Sequence, residues 1–585
     1  FNLLVESNQL LICRGPDETK SLDINTRESF DKLDLNLQAI FNRLSVIDLS
    51  PLASQPMVSK DSKTISMFNG EIYNHRELRK ELIQDGAVFK SDHSDSEVVL
   101  LGLSKYGLDY INKLDGQFAI FYIDIKISKA YLIRDRFGQK PLFYNLIDNQ
   151  LNFSSNLISL LKINKEKKLD DVQFYNYLNL GVIPSPNTLF KNNFKVKPGS
   201  YVEIDLTEDN FNSNEIKYWN IEDMYGEKKF DKEKFSELFS EAVTKRMDSD
   251  VEVANFLSGG IDSTAIIKSL NDQNYLINSY SVGYKNDKYD ESYWFNQVVK
   301  KYDLNHHTQY LSKNDISEDI EAAISSFDEP YADPSIVPSY TLSRLISEKY
   351  KVAISGDGGD ELLDGYIRLQ NLFLRKKYLN SFKYLNKIYP NSLGTGNKFI
   401  KNSKNFNEAY SSYFEDLNFT RLLGIDNNQN PLNGLMSNVE DEYKKALITD
   451  YNFYLSEMMM LKVDRTSMAN SLEVRSPFVD HKLVEYIVGS SYEYFDKDKP
   501  KKLLKNQLSS DFDNAFLNRK KMGFVFNLEN WIYSNINEIK DVINSDTLSS
   551  NLNLEVIDKL SINKSRINAQ RIWKLYIIEK YISRL

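Results

Sequence analysis

Cys13 is the only cysteine among 585 residues, so an intramolecular disulfide is excluded and a reducing compartment is expected. Long apolar runs are missing as well. The longest, near "QFAIFYIDI", falls well short of the roughly 20 residues of a membrane-spanning helix. No membrane partner is therefore expected, and the cytoplasm is the default location. There is no basic excess: 73 Lys and Arg stand against 82 Asp and Glu, a net charge of −9. A nucleic-acid partner needs a concentrated basic surface and is not expected. Basic residues do thicken in "RKKYLNSFKYLNKIY" from Arg375, where a solvated helix face is the preferred meaning. No G-x-x-x-x-G-K-[ST] phosphate loop is present. What is there, 41% hydrophobic and 26% charged residues, is the composition of an ordinary globular protein. The length is too great for one core and predicts two or three domains.

The pattern along the chain changes once. From Thr64 to Leu206 short strands dominate: "TISMFNGEIYN", "QFAIFYIDI", "AYLIRDRF", "PLFYNL", "LNFSS" and "YVEID" alternate or run apolar between polar turns. One helix is expected among them, "DSEVVLLGLSKYG", with Ser94 or Asp95 as N-cap and Gly107 past its end. A polar stretch, 207–230, is the expected linker between a front domain, 1–206, and a second domain, 231–585. In the second domain helices alternate with strands: "KFSELFSEAVTKRM", then "VEVANFLS", "DSTAIIKSLND", "YLINSYSVGY", "DESYWFNQVVKKY" and "KYKVAISGDGGDE". That alternation predicts a parallel sheet with helical cover, its ligands beyond the carboxyl ends of the strands. Beyond Tyr366 the text reads as helical.

Two glycine-rich turns follow two of those strands. "FLSGGIDSTA" sets Ser258, Gly259 and Gly260 after a buried strand, with Asp262 and Ser263 opening a helix. Glycines allow tight backbone geometry, so amide N–H groups can converge on one anion, and the helix N-terminus adds positive potential. Read alone, the stretch is equally an ordinary turn in which Asp262 or Ser263 caps the helix. "ISGDGGDELLDGY" repeats the arrangement with Ser355, Gly356, Asp357, Asp360 and Glu361, and read alone is a loop with an acidic helix start. If both strands share one sheet, both turns meet at its carboxyl edge. Asp262 and Asp360 then offer the oxygen ligands that Mg²⁺ prefers. A lysine beside a bound anion could stabilise charge developing on it; Lys501 in "KPKKLLK" is the candidate, against a reading as surface charge.

"SGGIDS" resembles the pyrophosphate-binding loop of ATP pyrophosphatases, matched at Ser258, Gly259, Gly260, Asp262 and Ser263. Those enzymes cleave ATP between the α- and β-phosphates and adenylate a carbonyl or carboxylate. With "SVG", "YDES", "FDEPYADPS", "SGDGGDE", "DRTSMANSLEVRSPFVDH" and "NRKKMGF" in order, nearly the whole chain resembles glutamine-dependent asparagine synthetases of the B type (purF class). The resemblance implies a two-domain α/β protein. Its front domain is an Ntn-type α/β/β/α glutaminase sandwich, and its second a parallel-sheet ATP-pyrophosphatase domain with a helical C-terminal part. Leu257, Val282, Ser355 and Gly356 are implied to line the ATP site. Asp357 matches the acidic position associated with the aspartyl-adenylate, and Lys501 the family's active-site lysine.

The front half matches the family's glutaminase through "RLSVIDLSPLASQPM", "MFNGEIYNHRELR", "SDSE", "DGQFAI" and "RDRFGQKPLFY". The resemblance assigns Arg43 to the glutamine carboxylate, Glu71 and Asp95 to its α-amino group, and Asn69 with Gly70 to the oxyanion hole. A guanidinium fork suits a carboxylate and acids suit an ammonium. As an isolated dipeptide Asn-Gly means a hairpin turn; within "FNGEIYNH" the oxyanion hole is expected. The family's nucleophile is an N-terminal cysteine that uses its own α-amino group as base. Cys13 precedes "RGPDE" where the family writes "HRGPD", so it matches that histidine, and a small buried or half-buried side chain is expected there. The nucleophile is absent from the sequence, and a fragment lacking about half a dozen leading residues is the preferred explanation, over a natural loss of glutaminase that would leave an ammonia-only synthetase.

The expected reaction is ATP- and Mg²⁺-dependent amidation of aspartate, with glutamine as ammonia source and a homodimer as the family's usual state. β-Lactam synthetases have tyrosine at the Asp357 position, which counts against them. Relatives that amidate another carboxylate, such as a uronic acid in surface-polysaccharide synthesis, share the "DGGDE" and "KMGF" spellings and stay open. A catalytically dead scaffold would show damage in the Ser258 or Ser355 turns, and both are intact. Asp364, usually glycine in relatives, and Asn156, often glutamate, are departures without an assigned consequence.

Overall fold

A computed structural model describes residues 1–25, 36–164, 167–207, 211–284, 290–311, 313–369, 372, 405–425, 431–491, 501–519, 526–544, 548 and 552–585. The basic stretch from Arg375, Lys499 and the "KMGF" segment lie outside them.

The front half is built on an antiparallel six-stranded sheet in the order β11-β10-β6-β5-β4-β3. Its central pair is β4 (Thr64–Ile72) and β5 (Gly116–Asp124), flanked by β6 (Lys129–Arg134), β10 (Ser200–Asp205), β11 (Asn212–Lys217) and β3 (Met57–Val58). Both faces of the central pair are buried, which is why these strands run apolar instead of alternating. Phe68, Ile72, Phe118, Ile120 and Tyr122 pack beneath α2 (His75–Gln84) and α3 (Asp95–Tyr106). Ile65, Met67, Ala119, Phe121 and Ile123 face a second layer. That layer is the pair β1 (Glu18–Asn25) and β2 (Asn36–Arg43), with the sheet of β8 (Gln150–Ser154), β7 (Phe143–Ile147) and β9 (Phe194–Lys195). Helices α1 (Asn2–Asn8) and α4 (Leu157–Asn164) close the far side. The layers run helix, sheet, sheet, helix, as the resemblance implied.

One local expectation needed correction. Instead of one helix between Thr64 and Leu206 the described residues hold four: α2, α3, α4 and α5 (Asp171–Leu180). In α2 only Leu78 and Leu82 are buried leucines in a charged stretch, too thin an apolar stripe to read. The expected α3 is in place, with Ser94 at its N-cap and Gly107 ending it at φ 64°. The polar stretch 207–230 also carries β11, an edge strand of the front sheet, antiparallel to β10.

The second half holds a parallel five-stranded sheet, β14-β13-β12-β15-β16: β12 (Val253–Phe256), β13 (Asn278–Gly283), β14 (Asn305–Tyr310), β15 (Val352–Ile354) and β16 (Glu473–Arg475). One face packs on α6 (Lys232–Lys245), α7 (Ile261–Asp272) and α8 (Ser292–Tyr302) through Phe239, Ile266, Ile267 and Phe295. The other meets α10 (Ile336–Ser347) through Tyr280, Leu342 and Ile346. Beyond Tyr366 the described residues are mostly helical, except that β16 interrupts them. They include a π-helix, Asp450–Met459, running into the helix Met460–Met468. π-Helical backbone is rare, and its usual single-turn form is frequent at functional sites. The last helix, Arg566–Ile582, shares one core with α4 and α5, so front helices and C-terminal helices are packed as a unit. Ion pairs also join the halves: Arg14 with Asp464 at 2.8 Å and Lys195 with Glu329 at 2.7 Å.

Candidate active sites

The two glycine turns leave adjacent parallel strands, β12 and β15, and meet at the sheet's carboxyl edge. An added Cβ at Gly356 would lie 3.1 Å from Asp262 Cβ, and one at Gly359 2.7 Å from Asp262 Cγ. Glycine at these positions is therefore what lets the turns touch. Helix α7 has Gly260 at its N-cap with no side-chain cap, so the capping role weighed for Asp262 and Ser263 is not the one seen. Ser258 Oγ instead accepts from Gly260 N–H at 3.1 Å and lies 3.2 Å from Ser263 Oγ. Gly259 sits at φ 71°, and a Cβ there would be 2.5 Å from Phe295 N; it seats the turn against α8.

The turns border a cavity of about 730 Å³. Leu257, Ser258, Gly260, Asp262, Ser263, Val282, Ser355, Gly356, Asp357, Asp360 and Lys501 all line it; of the expected nucleotide-site residues Gly259 alone does not. Lys501 Nζ lies between two carboxylates, in contact with Asp262 Oδ2 and 2.5 Å from Asp360 Oδ1. Burial works to discharge this lysine, but Asp262 and Asp360 outweigh it and hold the ammonium charged. Lys501 is not surface charge. It starts the helix Lys502–Leu508 at φ 58°, a left-handed conformation that costs a non-glycine residue about 1–2 kcal/mol. Two carboxylates that already converge on one cation suit the hard-oxygen preference of Mg²⁺. Among the described residues no three His, Cys, Asp or Glu side chains are grouped to hold a metal by themselves.

Several lining residues carried no role in the sequence reading. Glu291 and Asp333 lie in the quoted "YDES" and "FDEPYADPS", and Arg519 in "NRKKMGF". Arg519 Nη2 is 3.3 Å from Glu291 Oε1 and 3.8 Å from the Cβ position of Gly260, beside the first glycine turn. Lys462 Nζ is 3.6 Å from Asp357 Oδ1. Tyr366 and Tyr454, edge to face at 5.2 Å, wall the other end. Beside them Glu361 accepts from Tyr366 Oη at 2.6 Å. Burial, with the charge of Asp360 second, pushes its carboxyl up to about 7. The tyrosines had no signal beyond ordinary core aromatics. Asp364 is buried off the cavity wall at φ 56° and accepts from Tyr443 Oη. Asn156 Oδ1 accepts from Ser159 N at 2.9 Å, capping the start of α4.

In the front half Arg43, Asn69, Gly70, Glu71 and Asp95 are brought together around one small cavity of about 60 Å³. Asn69 and Gly70 sit within β4, paired with Ala119 and Phe118, so the pair is no hairpin turn. Gly70 has φ 143°, and a Cβ there would be 1.9 Å from the Gln117 carbonyl oxygen. Arg43 is already engaged: it donates to the Ser50 carbonyl at 3.0 Å and to Asp48 O, with Glu18 at 3.8 Å. Burial, with Asp95 second, pushes the Glu71 carboxyl well above the usual carboxylate range, and burial pushes Asp95 up also. Two such acids in one buried pocket favour a cationic ligand group. Cys13 is exposed, contrary to the expected buried or half-buried side chain. Its short 3₁₀ turn, Ile12–Arg14, lies on the surface, tied down by Arg14 and by a bond from Ser471 Oγ to the Cys13 carbonyl.

Comparisons with known proteins agree with this division. The family described as asparagine synthase matches residues 234–582, and the glutamine amidotransferase domain matches residues 2–219. Asparagine synthetase [glutamine-hydrolyzing] 1 of Bacillus subtilis is 27% identical, over 98% of this chain and 92% of its own. Putative asparagine synthetase [glutamine-hydrolyzing] 2 of Methanocaldococcus jannaschii is 32% identical, over 62% and 72%. Amidase chyE of Penicillium rubens is 26% identical, over 83% and 77%. A solved glutamine phosphoribosylpyrophosphate amidotransferase of B. subtilis aligns at a TM-score of 0.28 and 11% identity, over 61% and 78%, too loose to bear on the fold. With both family matches covering the halves that hold the two cavities, the chain belongs to the asparagine synthase family and carries a glutamine amidotransferase domain ahead of its synthase domain.

Proposed function

We propose that the protein converts aspartate to asparagine in an ATP-dependent amidation, with a front domain (1–206) that releases ammonia from glutamine, a linker (207–230) and a synthetase domain (231–585). The observation that carries the reading is the meeting of two glycine turns, from adjacent parallel strands, on one buried lysine inside the larger cavity.

A carboxylate is a poor electrophile because oxide cannot leave. In this reading the aspartate side-chain carboxylate attacks the α-phosphorus of ATP and pyrophosphate departs. Amide N–H groups at the Ser258–Ser263 turn and the open N-terminus of α7 receive the anionic phosphates. Lys501 is placed to stabilise charge on the leaving pyrophosphate; removing one such donor typically costs about 10²–10³ in rate. Asp262 and Asp360 would hold Mg²⁺, which when bound neutralises phosphate charge. Asp357, steadied by Lys462 and by Ser476 Oγ on its carbonyl, faces the forming acyl-adenylate. Asp333 and Lys462, among the charged groups of the cavity wall, are the candidates for the α-ammonium and α-carboxylate of an amino-acid acceptor. Ammonia then attacks the acyl carbon and AMP leaves with one former carboxylate oxygen. Excluding water from the adenylate falls to the apolar wall of Leu342, Val463 and Val474.

In the front site Arg43 would meet the glutamine carboxylate, Glu71 and Asp95 its α-ammonium, and Asn69 with Gly70 the oxyanion. A second reading keeps this chemistry but amidates a larger carboxylate, such as a uronic acid. The aromatic wall of Tyr366 and Tyr454 and the relative named as an amidase favour keeping it. Pyrophosphate release with MgATP and ammonium, compared across aspartate and uronic acids, separates the two. Release stimulated by aspartate supports the first, and by a uronic acid alone the second.

A further inference from the structure

Arg475 lies in the synthetase sheet, yet its side chain ends on Glu71, a residue that lines the front domain's small cavity. It is the last residue of β16, and none of its surface is exposed. Successive side chains of a strand point to opposite faces. Val474 accordingly lines the larger cavity, while Glu473 reaches the front pocket and Arg475 reaches Glu71 beside it. Every nitrogen of the guanidinium is engaged: Nη2 donates to Glu71 Oε2 at 2.9 Å, Nε to Glu473 Oε1 at 2.9 Å, and Nη1 to the carbonyls of Arg246 at 3.1 Å and Asp248 at 2.7 Å. Those two carbonyls follow α6, so synthetase backbone fixes the fork before it touches Glu71.

Glu71 is 3% exposed, and its other oxygen, Oε1, is buried without a hydrogen-bond donor. Asp95 adds like charge to the same pocket. One carboxylate oxygen is thus tied down by arginine and the other is left for a cation.

We propose that Arg475 is a positioning residue of the glutamine site. The synthetase sheet uses it to fix the Glu71 carboxylate so that Oε1 receives the α-ammonium of glutamine, and the front site is complete only with β16 docked against it. This rests on the reading of Glu71 as an ammonium ligand. A planar fork with four acceptors orients a carboxylate as a lysine cannot. Without it, a buried Glu71 beside Asp95 loses the cation that opposes its raised pKa and is pushed further toward its neutral form.

The test is calorimetric binding of glutamine, and of 4-carbamoylbutanoate (glutamine without its amino group), to the full chain and to Arg475→Gln, Arg475→Lys and Glu71→Gln. Arg475→Gln is expected to weaken glutamine binding about tenfold to a hundredfold, the loss of one charge-assisted bond at the ligand's partner. The deaminated analogue should change less than about threefold, because the effect needs the ammonium. Added to Glu71→Gln, Arg475→Gln should cost little more, and Arg475→Lys should recover part of the loss. Affinity for an ATP analogue reports that the sheet remains folded in each variant. Unchanged glutamine affinity in Arg475→Gln overturns the proposal, as does equal weakening of glutamine and the analogue. If wild type binds no glutamine, or Glu71→Gln binds it as well as wild type does, the reading of Glu71 itself is what fails.

Discussion

Replacing Lys501 by alanine should make the synthetase domain both less stable and responsive to magnesium. The side chain is 10% exposed, and its partners Asp262 and Asp360 are 15% and 19% exposed. At an effective dielectric near 20, two unit charges about 4 Å apart attract by about 4 kcal/mol, and both contacts here are closer than that. Removing the lysine from water costs several kcal/mol and cancels much of the sum. Truncating one member of a buried ionic group, which leaves like charges facing each other, typically costs about 3–5 kcal/mol. Gly365 shows how closely the group is built: a Cβ there would be 2.6 Å from Lys501 Cε. With a urea slope of about 2–3 kcal/mol per molar, the fluorescence midpoint should fall by roughly 1–2 M. In the variant a divalent ion can take the ammonium's place. At tenfold excess over its dissociation constant Mg²⁺ restores about 1.4 kcal/mol, while nucleotide-free wild type, its carboxylates already paired, shows little change. Equal midpoints for variant and wild type, or the same magnesium effect in both, would refute the reasoning.

Asp364→Asn tests a buried acid. Burial pushes the Asp364 carboxyl up to about 7, against the opposing bond from Tyr443. The folded pKa exceeds the unfolded one, so the group's contribution is full below about pH 4 and is lost as pH rises through about 7. Asparagine keeps an acceptor for Tyr443 and tolerates the positive φ. Its stability advantage in urea should therefore widen by about 2 kcal/mol between pH 5 and pH 8, and a constant gap would count against titration there. Gly259→Ala meets Phe295 N at 2.5 Å and adopts φ 71°, which should cost about 2–4 kcal/mol in denaturation and weaken ATP-analogue binding; wild-type stability would contradict the seating of the turn on α8. Gly70→Ala drives a methyl into the Gln117 carbonyl at 1.9 Å, so calorimetry should show no glutamine binding, and retained affinity would contradict the β4–β5 geometry.

The parts of the sites that were legible are those set by local chemistry. Ser258–Ser263 and Ser355–Glu361 announce themselves because glycine and acid spacing at a strand end leaves few alternatives. Strand β16 was not legible: its three residues are Glu473, Val474 and Arg475, and buried charge on a short strand has no apolar alternation to read. Its charges make sense only with Glu71, 404 residues away. Lys501 could not be told from its lysine neighbours, since burial between Asp262 and Asp360 is a property of three separate segments. Tyr366 and Tyr454 read as core aromatics because only packing shows that one face of them is a cavity wall. Helix α2 was missed through its thin apolar stripe, whereas α3 carried its own start and stop at Ser94 and Gly107.

The central claim, that a carboxylate is activated on the α-phosphorus of ATP, is tested most directly with aspartate labelled with ¹⁸O in its side-chain carboxylate. The protein is incubated with MgATP and ammonium, and the products are read by mass spectrometry. The account predicts AMP and pyrophosphate, with one ¹⁸O in the AMP phosphate and one kept in the asparagine amide. ADP with labelled inorganic phosphate, or AMP free of label, would contradict it.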